Sequence, residues 1–94
     1  MTVLLLDATE DGPGEETHIS FGGAHICTVS GVFDGASVEL QMMSPRDPND
    51  RWVFNRTYTK EENNAMFQMP IGYQARGEIK NANTLTKIFM EVVS

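Results

Sequence analysis

His18, His25 and Cys27 are the residues whose types come nearest to a metal site, a His-x-Cys pair with a second histidine upstream. Structural zinc takes four such ligands at set spacings. No fourth ligand follows, so the three read as strand or surface residues. Cys27 as a nucleophile would need a base and a group to orient that base; nothing nominates either, and a small buried residue is the better reading. Glu10, Asp11, Glu15 and Glu16 could pair as acid and base, but they sit in "DATEDGPGEET". A solvated loop of that kind neither buries nor tunes a carboxyl. Asp47, Asn49 and Asp50 offer oxygen ligands for calcium without the order or the closing glutamate of an EF-hand. Gly22-Gly23 lacks the Lys-Ser/Thr of a phosphate loop. The expectation is a protein that is not an enzyme, with no catalytic residue, metal or cofactor.

The chain that would have to position such groups is short. Its 94 residues allow one domain, and 40% hydrophobic with 21% charged residues is ordinary for a packed core. Thirteen acidic against seven basic side chains give a net charge of −6. That balance repels phosphate backbones, so nucleic acid is a poor partner. No apolar run approaches the roughly 18 residues of a membrane span. "MTVLLLDA" lacks the basic start of a signal peptide. The single cysteine excludes an internal disulfide and suggests maturation in a reducing cytoplasm. The sequon Asn55-Arg56-Thr57 then reads as chance.

Period-2 patterning dominates the rest. Thr2 to Leu6 predicts a short strand, and residues 7–17 an acidic loop. A second apolar stretch runs from His25 to Phe33. Asp34-Gly35 supplies the positive φ angles of a type I′ turn, which predicts a β-hairpin. After it Val38, Leu40 and Met42 alternate with polar residues, the mark of a half-buried strand. Met43 follows Met42 directly, so one of the two must leave the core face. "SPRDPND" is turn chemistry, and Trp52 and Phe54 mark a strand from Arg51 to about Arg56. "TKEENNAM" fits either one helical turn behind a capping box or a polar loop. Phe67 and Met69 enter a short strand that Pro70 curtails. Tyr73 to Ile79 and Ile88 to Val92 alternate again, around a turn at "KNANT". The sum is an all-β protein, a small antiparallel sandwich or partly open barrel of about six to seven strands. Residues 1–23 form a strand and acidic arm, and residues 24–94 the β module. Leu40, Trp52, Phe54, Tyr73 and Ile88 would anchor the core.

"VSGVFDGASVELQMMSP", the Trp-bearing strand, "PIGYQARGEI" and "TKIFMEVV" in this order resemble small structural proteins of tailed-bacteriophage virions. The positions that carry the resemblance are Phe33, Asp34, Gly35, Val38, Leu40, Trp52, Gly72, Tyr73 and Arg76, within residues 28–93. The resemblance implies a capsid decoration or cement protein, assembled into the virion in the host cytoplasm. Its partners would be the major capsid protein or other virion proteins, and it would form a homo-oligomer, with no membrane partner. A tail or head-tail connector accessory, or a soluble β module that binds a ligand through an exposed Trp52, are the alternatives. Val3, Leu4, Leu5, Leu6 and Met43 are the candidate interface. Four consecutive apolar side chains at Val3 to Leu6 do not alternate as an edge strand should. They either add to a neighbour's sheet or fold back onto their own.

Overall fold

A computed structural model describes residues 2–14, 17–18, 23–59, 62–70 and 72–93. Of the residues weighed above, Glu15, Glu16, Gly22, Lys60, Glu61 and Ile71 lie outside the described residues, as do the side chains of His18, Phe54, Asn55, Met66, Phe67 and Met69. The strands are β1 (Thr2–Ala8), β2 (Gly12–Pro13), β3 (Thr17–His18), β4 (Gly23–Val32), β5 (Ser37–Met43), β6 (Val53–Tyr58), β7 (Glu62–Met69), β8 (Gln74–Lys80) and β9 (Lys87–Val93). Every pairing is antiparallel. Sheet A runs β1-β9-β4-β7 and sheet B runs β2-β8-β5-β6, with β3 also pairing β8. Among the described residues no strand of one sheet pairs with the other, so the protein is a sandwich and not a closed barrel. With β2 and β3 together filling one position, this is the strand order of a jelly roll, two Greek keys folded into two sheets.

The Asp34-Gly35 turn forms as its residue types demand. Both residues have positive φ, 49° and 84°, and the Ala36 amide donates to the Phe33 carbonyl at 2.9 Å. The flanking strands, however, do not form a hairpin. β4 belongs to sheet A and β5 to sheet B, so the turn carries the chain across the sandwich. A tight turn specifies a reversal, and the partners of each strand are chosen by burial on the two inner faces. The turn is braced by the β8–β9 connection, which crosses at the same end. Asn83 Nδ2 donates to the Asp34 carbonyl at 2.6 Å, the Leu85 amide to Asp34 Oδ2 at 3.0 Å, and Thr86 Oγ1 to the Phe33 carbonyl at 2.9 Å. The Ala82 amide donates to Asp11 Oδ1 at 2.6 Å, tying in the β1–β2 crossing.

Among the described residues of the N-terminal part, β1, β2 and β3 are likewise built into the sandwich. β1 is the edge strand of sheet A, and two register shifts against β9 fall between Val3 and Leu5 and between Leu5 and Ala8. An extra residue in one strand flips the phase of its side chains. The first bulge therefore lets consecutive residues Leu4 and Leu5 both enter the core, at 2% and 4% exposure, while Leu6 stands 72% exposed. This accounts for the apolar run that breaks alternation.

From Glu62 onward the "TKEENNAM" stretch is strand, continuing to Met69, not a helical turn or a loop. Pairing with β4 from Val29 to Gly23 overrides the local capping signal. Between the sheets, Leu4, Leu5, Val29, Ile88, Met90 and Val92 from sheet A meet Val38, Leu40, Tyr58, Ala75 and Ile79 from sheet B. Gly77 makes the close approach possible: a Cβ there would lie 2.6 Å from Met90 Sδ and 3.1 Å from Leu5 Cδ1.

Candidate interaction surface

Leu40 and Ile88 are fully buried, and Tyr73 is part-buried against the core. Trp52 is not a core residue. Its part-exposed ring carries the Arg76 guanidinium 4.2 Å from its centroid, on the outer side of sheet B. The cause is a bulge in β6: Arg56 pairs Leu40 but Phe54 pairs Gln41, so the phase changes between them. Tyr58, opposite Val38, is fully in the core, in one cluster with the also buried Phe33. Sequence reasoning missed Tyr58 because it extrapolated the Trp52-Phe54 alternation only to Arg56. An isolated bulge leaves no composition signal there.

Behind Arg76 the outer face of sheet B is a connected polar ladder. Gln41, only 8% exposed, donates its amide to Glu39 Oε1 at 3.1 Å and Glu78 Oε1 at 3.2 Å, and accepts from Arg76 Nε at 2.8 Å. Lys80 Nζ lies 3.1 Å from Glu39 Oε2, and Arg76 Nη2 lies 3.6 Å from Glu78 Oε1. The hydrogen bond from Gln41, then the bond and charge of Lys80, hold the Glu39 carboxyl below its usual range. These bonds, some along β5 and β8 and some across them, are charge-assisted and mutually satisfying. Each charge in the ladder has its opposite beside it.

The outer face of sheet A is made of different side chains. Alternation along β4 and β9 turns His25, Cys27, Val29, Ile88, Met90 and Val92 inward. It leaves Ile26, Thr28, Ser30 and Val32 beside Lys87, Phe89, Glu91 and Val93 on the outside. Val3 pairs Glu91 in register and extends the face onto β1, where Leu6 projects. An open groove of about 330 Å³ along β1, lined by Val3, Leu4, Leu5, Leu6, Ala8 and Gly14, borders it. Leu4 and Leu5, two of the candidate interface residues, are committed to the protein's own core. Val3 and Leu6 remain available. Met43 is part-exposed and pairs Gln74, one residue on from Met42, which pairs Ala75 and packs against the core.

The remaining candidates stay apart. His25 and Cys27 are buried in sheet A, whereas His18 is in β3 beside Gln74 of sheet B. Asp47 spends its carboxylate locally: Oδ1 accepts the Asn49 amide at 2.8 Å and Oδ2 the Arg51 side chain at 3.0 Å. The Asn49 bond and then Arg51 lower its pKa. An arginine thus occupies the place a cation would take. Among the described residues no group of three His, Cys, Asp or Glu could hold a metal ion, and no helix is long and apolar enough to cross a membrane. Glu10 and Asp11 are exposed in the β1–β2 connection. Comparison of the chain with protein-family models, with curated proteins and with solved structures finds no match.

Proposed function

We propose that this protein is a structural component of a bacteriophage virion, acting as a capsid decoration or cement protein that binds by surface contact and catalyses nothing. The observation that carries the reading is the jelly-roll strand order in a single small domain. That architecture recurs in viral capsid proteins and also in lectins, so the support is an analogy of fold. An outer sheet face with apolar side chains at Ile26, Val32, Phe89 and Val93 adds to it, since a scaffold of this kind stabilises a shell by burying area against neighbours. The test is mass spectrometry of purified virions with quantified copy number. Copies in the hundreds per particle support decoration of the capsid, copies on the scale of a single ring support the tail or connector alternative, and absence of the chain from particles ends the virion reading.

A second reading has one observation in its favour: Trp52 lies outside the core, where an aromatic ring can stack on a sugar. Trp52 is the only tryptophan, so its fluorescence reports directly on glycan titrations. A saturable change on adding a glycan would favour this ligand-binding module over the virion protein.

A further inference from the structure

We infer that the outer face of sheet A is a two-fold interface for a second copy of this chain. The inference concerns association in solution and does not depend on the virion reading.

The face is an unusual thing to leave in water. Ile26, Val32, Phe89, Val93, Val3 and Leu6 contribute to one side of three adjacent strands, β4, β9 and β1. At about 4.8 Å between strands and about 3.3 Å per residue, three strands of seven residues project to roughly 330 Å² before side-chain relief is counted. The apolar side chains are interleaved with Thr28, Ser30, Lys87 and Glu91, the mixed composition of an ordinary contact surface. A stable interface needs about 800 Å² of accessible surface from each partner, so the side-chain relief and the rim around the strands must contribute alongside the centre of the face.

Charge then selects the occupant. The chain carries −6 overall, so two copies repel unless they meet on a neutral face. On β4 and β9 the strand alternation places only Lys87 and Glu91 as charged side chains on this face, one of each sign. Among the described residues neither takes part in an ion pair, in contrast to the charges of sheet B. They stand two residues to either side of Phe89, about 6.6 Å each way along the strand. A two-fold axis lying in the interface and crossing β9 at Phe89 sets Lys87 of each copy against Glu91 of the other. Phe89 meets its own symmetry mate at the centre. This is the self-complementarity that an isologous contact demands, with a buried aromatic at its middle and charges at its rim. A partner of strong charge would call for a face of one sign, which this is not.

Edge-to-edge association through β1 is disfavoured by the same structure. Its two bulges, with Asp7 at φ 49° beside the second, interrupt the row of free backbone groups that strand addition needs.

The experiment is sedimentation equilibrium of the full chain over a wide concentration range, with charge-swapped variants. The wild type is expected to dimerise reversibly, and Phe89→Asp to be monomeric with an unchanged circular-dichroism spectrum. Lys87→Glu and Glu91→Lys should each weaken the dimer about tenfold, since each places two like-charge contacts in the interface. The double swap should restore the wild-type affinity to within about threefold. A wild type that stays monomeric overturns the proposal. So does a dimer that the single swaps leave unchanged, or one that the double swap fails to restore.

Discussion

The two outer faces of the sandwich follow the same strand alternation and carry opposite chemistry. Sheet B turns Glu39, Gln41, Arg76, Glu78 and Lys80 outward, and these satisfy one another across β5 and β8, with Arg76 capped on Trp52. Sheet A turns Ile26, Phe89, Val93 and Val32 outward beside Thr28 and Ser30, with one lysine and one glutamate that form no ion pair among the described residues. A face whose polar groups are already bonded gains little from a partner, because each new contact must first break an old one. A face of apolar side chains and unspent charges gains by being covered. In a protein whose interior is filled from both sheets, the face of sheet A is therefore where binding free energy is available.

The largest effect that sharpens this comparison lies at the boundary between core and surface on β1. Leu5→Ala should destabilise the isolated chain by about 2–5 kcal/mol in urea unfolding, whereas Leu6→Ala, one residue on, should change it by less than about 0.5 kcal/mol. Equal small effects would mean that β1 does not fold back onto its own sandwich. The next largest effect concerns sheet B. Trp52→Ala should cost about 1–2 kcal/mol, the scale of a cation–π pair plus partial burial. A core tryptophan would cost about 3–5 kcal/mol, and a loss of that size would return Trp52 to the interior. Gly35→Val should cost about 1 kcal/mol or more in the same assay, because φ at 84° is strained for a β-branched residue. The new Cβ would also crowd Asn83 Nδ2 at 3.3 Å.

The smallest effect is electrostatic. Glu39 has its pKa lowered by Gln41 and Lys80. A depressed carboxyl contributes stability that is present above its unfolded value, about 4.3, and lost as pH falls through its folded value. Stability should thus decline on acidification below about pH 4.3, and Glu39→Gln should flatten that decline. An acid profile unchanged by the substitution would show that the ladder of sheet B is not held together as described.

Much of the fold was legible in the residues, and the failures share one cause. Period 2 in Val38 to Met42, Tyr73 to Ile79 and Ile88 to Val92 read directly as half-buried strands, and Asp34-Gly35 as a tight turn. Where the chain bulges, the pattern misleads. The bulge after Val3 leaves Val3 to Leu6 readable either as an adhesive arm or as a strand folded back on its own sandwich, and the bulge in β6 makes Trp52 look buried. Neither bulge changes composition, since each is a matter of register between strands distant in sequence. Strand partners were hidden for a related reason: the turn at Asp34 is the same local object whether its strands pair or separate into two sheets. The candidate surface was only half legible. The unbroken apolar run Val3 to Leu6 stands out in the sequence, but the outward set of β4 and β9 emerges only once both strands are laid side by side.

Hydroxyl-radical footprinting of the full chain, dilute against concentrated, tests the central claim most directly. The contrast between the faces predicts that Phe89 becomes protected as concentration rises while Trp52 and Met43 keep their reactivity. Protection of Trp52 with Phe89 unchanged would place the contact on the ladder of sheet B and contradict it.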